Sequence, residues 1–195
     1  MAHEHHEHQH TLTYEDAVRA HRADKDEFFR ISHGSPVPAA ERAAFEGLPY
    51  FDADEAWVVD DLQLEPYEGD EPVTFQIQTT DGRLRDAERA GRFRFRAPGG
   101  DGVLTAYRLA RSDGTVDESL FVPFLDATTG TETYGAGRYL DIEPEEDGTW
   151  TLDFNLAYHP SCVYDAIYSC PLTPAENRLP VRVEAGERLP EGYGG

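Results

Sequence analysis

The chain has 195 residues, enough for one domain with a substantial core, and carries 38 Asp and Glu against 17 Lys and Arg, for a formal charge of −21. That balance argues against general affinity for DNA, RNA or anionic lipid, which rests on Lys and Arg contacts. No apolar run approaches the roughly 18 residues that span a bilayer, and the N-terminus lacks a basic segment followed by an apolar one. Lys25 is the only lysine among the bases; a lysine-poor chain with this much self-repulsion depends on concentrated salt for screening, so a saline cytoplasm is the expected setting.

Residues 1–12 interleave His3, His5, His6, His8 and His10 with Glu4 and Glu7. Imidazoles at this density capture Zn, Ni or Cu when offered, and these five are the metal-ligand candidates. Nothing fixes their geometry, so the segment reads as a disordered tail. A single domain is expected over 13–189, with a helical segment at 13–47, a β core at 56–185 and a flexible tail at 190–195. Thr13 with Asp16 three positions on is an N-terminal capping signature, opening a helix to about Phe29 that buries Ala17, Val18, Phe28 and Phe29. The Gly- and Pro-bearing break at 33–38 ends it, and a second short helix is predicted over 39–46, stopped by Gly47.

From residue 56 the apolar period changes from helical to two. Segments 56–64, 73–79, 83–88, 92–97, 103–110, 119–125, 137–143, 149–158 and 179–184 each read as strands, punctuated by Asp81-Gly82, Gly99-Gly100, Asp113-Gly114 and Asp147-Gly148. Short connections imply an antiparallel meander. The fold class is mainly β, a barrel or a two-sheet sandwich, with the two N-terminal helices packed on it. In the run from Arg92 to Arg96, alternation puts Arg92, Arg94 and Arg96 on one face and Phe93 and Phe95 on the core face. Together with Arg83, Arg85 and Arg89 the arginines form a local basic cluster; such a stripe could hold an anionic ligand or meet an acidic partner surface, and the plainer account is pairing with the abundant Asp and Glu.

The stretch 133–178 concentrates the chemistry. Read as a strand, 149–158 places Trp150, Leu152, Phe154, Leu156 and Tyr158 on a core face and Thr151, Asp153, Asn155, Ala157 and, if the strand continues, His159 on the other. If a hairpin joins this strand to 137–143, Tyr139 and Asp141 come near Asp153. The ligand-binding candidates are Arg138, Tyr139, Asp141, Asp153, Asn155, Tyr158, Tyr164 and Asn177, with Arg138 as the fixed charge, provided that it faces the pocket. Asp153, His159 and Cys162 are the candidates for acid–base or nucleophilic chemistry, and Asp153, Asn155 and Asp141 offer oxygen ligands to a divalent cation. Cys162 and Cys170 are spaced so that a disulfide is possible, but a cytoplasmic setting keeps them as two reduced thiols. Residues 159–174 read as a long loop over one end of the sheet, a length that usually signals function.

Several blocks carry a resemblance. They are the runs from Phe121 to Gly130 (FVPFLDATTG), Thr133 to Asp141 (TYGAGRYLD), Leu152 to Tyr164 (LDFNLAYHPSCVY) and Tyr168 to Leu179 (YSCPLTPAENRL), then Ala185-Gly186-Glu187, with Gly34-Ser35-Pro36 and the run from Phe45 to Phe51 upstream. Together they resemble the bacterial and archaeal family known as domain of unknown function 1684, of which this chain looks like a halophilic-type member. The likeness implies a shared fold and pocket and supplies no activity. Members usually carry Asn where this chain has His159, which speaks against a mechanism requiring imidazole there. The reading that follows is a protein binding a small polar or anionic molecule in a pocket built from 133–178. One alternative is a hydrolytic enzyme using Asp153 there, with a possible divalent metal; another is an interaction module with a metal-collecting His-rich tail.

Overall fold

The computed structural model describes residues 12–110 and 119–190. The five tail histidines, the Asp113-Gly114 turn and most of the C-terminal tail predicted at 190–195 therefore lie outside the described residues.

Helix α1 spans Tyr14–Ile31 and starts as its sequence dictates: the Thr13 hydroxyl accepts from the Asp16 N–H at 3.2 Å and donates to the Asp16 carboxylate at 2.8 Å. It ends where the Ser32 N–H bonds the Phe28 carbonyl, before Pro36 and Pro38. Val18 and Phe29 are its buried residues. The second helix expected over 39–46 is instead a single turn of 3-10 helix, Arg42–Ala44. Eight residues hemmed between Pro38 and Gly47 do not recover the cost of nucleating an α-helix.

Among the described residues seven strands follow: β1 (Val58–Leu62), β2 (Thr74–Gln78), β3 (Leu84–Ala97), β4 (Gly100–Leu109), β5 (Leu120–Phe124), β6 (Arg138–Ile142) and β7 (Trp150–Asp153). They form an antiparallel five-stranded sheet, β2-β3-β4-β5-β6, and a two-stranded one, β1-β7. Segments 83–88 and 92–97, predicted as separate strands, are one strand with an irregularity between Arg89 and Gly91. Gly91 is needed there, because a Cβ would sit 2.5 Å from the Glu65 carbonyl. That close approach lets Glu65 bridge Arg92 in both directions, at 2.9 and 2.8 Å, and a second isolated bridge joins Tyr139 to Tyr158. The two bridges stitch the sheets without closing them into a barrel, so the arrangement is sandwich-like.

The core lies between the sheets. Trp57, Leu62, Trp150 and Leu152 face Phe93, Leu104, Val122 and Leu140, and Phe154 meets Trp57, Phe95 and Phe124 with ring centroids 5.3–6.0 Å apart. Phe93 and Phe95 point inward as their alternation requires, while Arg92, Arg94 and Arg96 pair with Glu176, Glu65 and Asp101. Segment 179–184, expected as a strand, forms none: it bends at 180 and 181 and runs beside the segment after β5, following the Leu125–Arg178 bridge and accepting the Ala127 N–H at the Val181 carbonyl, 2.9 Å away. Strand β7 stops at Asp153, short of the predicted 158, because the Asp153 carboxylate accepts the Asn155 N–H and caps a 3-10 turn, Phe154–Leu156.

Candidate functional site

A cleft of about 730 Å³ opens where α1 crosses the ends of β6 and β7. His21, Asp24 and Lys25 come from the helix; Leu140 to Glu145 come from β6 and the connection beyond it; Thr151, Asp153, Leu156 and Tyr158 come from β7 and its capping turn. Each wall has a local cause. β7 pairs with β1 rather than with β6, so the expected hairpin is absent and the two strands diverge, leaving Asp141 and Asp153 on a shared opening. Tyr14, in the first turn of α1, ties the helix to the end of β7: its phenol donates to both Asp153 oxygens at 2.8 Å.

Of the eight ligand-binding candidates, the structure brings Asp141, Asp153 and Tyr158 together on the cleft. The Tyr158 hydroxyl donates to Asp141, and its ring lies 4.8 Å from the Lys25 ammonium. Asp141 is open to the cleft, yet the surrounding walls displace enough water to raise its carboxyl above the usual Asp value. The Tyr158 hydrogen bond and the more distant Lys25 offset that only in part. Burial, then the Asp141 charge, keeps the Tyr158 phenol protonated, and burial with the Asp153 hydrogen bond does the same for Tyr14.

The other five do not line the cleft. Tyr139 is buried and donates to the Pro171 carbonyl. Asn155 is buried against the backbone of Asp54, accepting its N–H at 3.0 Å and donating to its carbonyl at 2.8 Å. Tyr164 packs edge-on to Phe29 and donates to Glu187 at 3.2 Å. Asn177 is wedged between β4 and β5.

Arg138, expected as the pocket cation, is 1% exposed. With no bulge to re-aim it, β6 turns its side chain inward, where the guanidinium donates to the carbonyls of Val183, Ala185 and Glu187 and lies 3.5 Å from the Asp126 carboxylate. Burial pushes its pKa down to about 10, so it stays charged at neutral pH.

The three catalytic candidates point in different directions. Asp153 is held by Tyr14 and by the Asn155 backbone and side-chain N–H groups. His159 is buried, with its Nε2 accepting the Tyr134 N–H at 3.2 Å, and desolvation lowers its pKa to about 3. Cys162 faces Cys170 and Tyr134. Among the described residues no three His, Cys, Asp or Glu side chains gather closely enough to hold a metal ion; of the expected oxygen ligands Asp141 and Asp153 share the cleft, while the Asn155 carboxamide is bonded to the Asp54 backbone.

Neutral His159 carries a testable liability. Its folded pKa lies below its ordinary 6.5, so the stability it contributes is full above 6.5 and is lost as pH falls from there toward 3. The slope is about 1.4 kcal/mol per pH unit while the unfolded chain alone takes the proton. His159→Asn, which retains an acceptor for the Tyr134 N–H, is expected to flatten that acid limb in urea denaturation run at stepped pH. An unchanged limb would remove His159 as its source.

Sequence reasoning missed Lys25, Tyr14 and Glu187. Glu187 is 1% exposed; its carboxylate takes the Lys25 ammonium, the His159 N–H at 2.7 Å and the Tyr164 hydroxyl. Gly186 makes this possible, with φ of +76° and the Ala157 carbonyl oxygen only 2.6 Å from where a Cβ would be. One signal was present in the sequence: Lys25 is the only lysine in an arginine-rich chain.

Comparisons with known proteins come to bear on this geometry. A family model described as "Protein of unknown function (DUF1684)" matches residues 43–188. The fold is similar to the solution NMR structure of an uncharacterized protein of Haloarcula marismortui, with a TM-score of 0.66 and 38% sequence identity over 92% of this chain and 96% of that one. No curated protein matches the chain. Among the described residues, no helix is long and apolar enough to cross a membrane.

Proposed function

The chain belongs to the DUF1684 family of proteins of unknown function, and from that premise we propose that it binds a small polar molecule bearing a cationic group in the cleft between α1 and the ends of β6 and β7. The observation that carries this is the charge of the walls. Asp24, Asp141, Glu143, Glu145 and Asp153 line the cleft, His21 and Lys25 are its only bases among the described residues, and Lys25 is already engaged by Glu187. With Arg138 turned into the core, no guanidinium among the described residues lines the cleft to meet an anionic ligand. Asp141 is the natural receiver: a carboxylate short of solvation gains most from an ammonium donor, and the Tyr158 phenol holds it in place. Asp153, held by the Tyr14 phenol, closes one side and Leu156 offers an apolar contact.

The sign of the pH dependence follows. Ionised Asp141 receives the cation, so affinity is full above its raised pKa and falls as pH drops through it, starting at higher pH than a surface Asp would give. A thermal-shift panel in molar KCl tests the reading, with short aliphatic amines, diamines and amino acids set against inorganic phosphate and dicarboxylates. Amines are expected to raise the midpoint and dianions to leave it unmoved; the reverse order would sink the proposal. A turnover assay on each hit separates binding from hydrolysis.

A further inference from the structure

We propose that Cys162 and Cys170 are a redox pair, in which a hydroperoxide oxidises Cys162 and Cys170 resolves the product to a disulfide. The geometry differs from that of two unrelated buried thiols. Both are reduced here, and the Cys162 N–H donates to the Cys170 sulfur at 3.3 Å, folding the loop so that the two residues face one another. Cys162 is half-buried with its sulfur 3.9 Å from the Tyr134 hydroxyl, whereas Cys170 is 7% exposed. Cys170 is also clamped to the end of the β2–β3 hairpin: its N–H donates to the Thr80 hydroxyl at 3.1 Å, and its carbonyl accepts the Thr80 N–H at 2.8 Å. A partly exposed cysteine beside an anchored, sheltered one is the division expected of an attacking and a resolving thiol. The electrostatics agree. The hydrogen bond from Cys170, with help from Tyr134, lowers the Cys162 pKa, and the same contact raises that of Cys170, so the proton resides on Cys170.

The chemistry balances. The Cys162 thiolate attacks one peroxide oxygen; the S–O bond forms, the O–O bond breaks, and the departing hydroxide or alkoxide takes a proton from solvent. Cys162 is now a sulfenic acid. The Cys170 sulfur then attacks the Cys162 sulfur; the S–S bond forms, the S–O bond breaks, and the hydroxide leaves as water with the proton from Cys170. Two thiols are oxidised to one disulfide and the peroxide is reduced by two electrons.

The test uses the full chain in molar KCl with one equivalent of hydrogen peroxide, followed by alkylation and peptide mapping. Wild type is expected to lose both free thiols together, to yield a linked 162–170 peptide pair, and to recover on dithiothreitol. Cys170→Ser is expected to accumulate a dimedone-reactive sulfenic acid at 162, and Cys162→Ser to leave Cys170 unmodified at the same dose. Retention of both thiols by wild type, or oxidation of Cys162→Ser as fast as wild type, overturns the proposal. Should a serine variant fail to fold by circular dichroism, the wild-type peptide map decides alone.

Discussion

Arg138→Met is expected to cost about 3–5 kcal/mol of stability, the range for removing one partner of a buried ion pair. The volume is nearly kept, so the loss reports charge and hydrogen bonds rather than a cavity. Arg138 is 1% exposed and supplies donors to the carbonyls of Val183, Ala185 and Glu187. Without it those three acceptors lose a partner, and the Asp126 carboxylate, already engaged by Thr128 and the Val183 N–H, loses its neighbouring cation. Against a total of roughly 5–15 kcal/mol for a domain, such a loss leaves little margin. Urea denaturation at fixed molar salt reads it directly. A change below about 1 kcal/mol would mean that the guanidinium is solvated in a way this packing does not allow.

Asn177→Ala is expected to fall in the same range, about 3–5 kcal/mol, for a different reason. β4 and β5 share one paired position, Tyr107 with Phe121, because the next inward partner on β5 is Pro123, which has no N–H to give. The fully buried Asn177 carboxamide fills the gap, accepting the Thr105 N–H at 2.8 Å and donating to the carbonyls of Thr105 and Pro123 at 2.7 Å each. Truncation orphans three buried backbone groups in mid-sheet. Asn177→Asp should be no better, since it retains the acceptor, loses both donations and buries a charge. Amide hydrogen exchange gives an independent readout: protection at Thr105 should fall in both variants. Unaltered protection would show that the strands close without the wedge.

Periodicity carried the sequence reading where one physical signal acted alone. The alternation of Phe93 and Phe95 with three arginines, and the Thr13–Asp16 cap, appear in the structure as read, because a strict period of two or a local side-chain-to-backbone bond needs no tertiary partner. Reading failed where a tertiary or capping contact overrode the pattern. Segment 149–158 alternates throughout, yet Asp153 spends its carboxylate on the next turn and ends the strand. Asn155 and His159 consequently turn toward backbone rather than toward the cleft. Asp141, Asp153 and Tyr158 were legible as polar groups, but their meeting depends on β7 pairing with β1, a long-range choice that local pattern does not encode. Lys25 was visible as a compositional singularity; its place became clear only once α1 was seen to cross Tyr158 and Glu187.

The chain is acidic with a single lysine and is similar to a Haloarcula marismortui protein, so molar salt is the condition in which to test the cleft. In molar salt, charges interact over only about 3 Å, so ligand recognition there depends on direct contact rather than on the field of the whole chain. That requirement places Asp141 at the centre of the account. The most direct measurement is a calorimetric titration of a short aliphatic diamine, in molar KCl at neutral pH, into wild type and into Asp141→Asn, which removes the charge and keeps the shape. The account predicts binding to wild type and a loss of roughly 10- to 100-fold in the variant, the equivalent of one charge-assisted hydrogen bond. Equal affinity in the two proteins, or a dicarboxylate binding more tightly than the diamine, would contradict it.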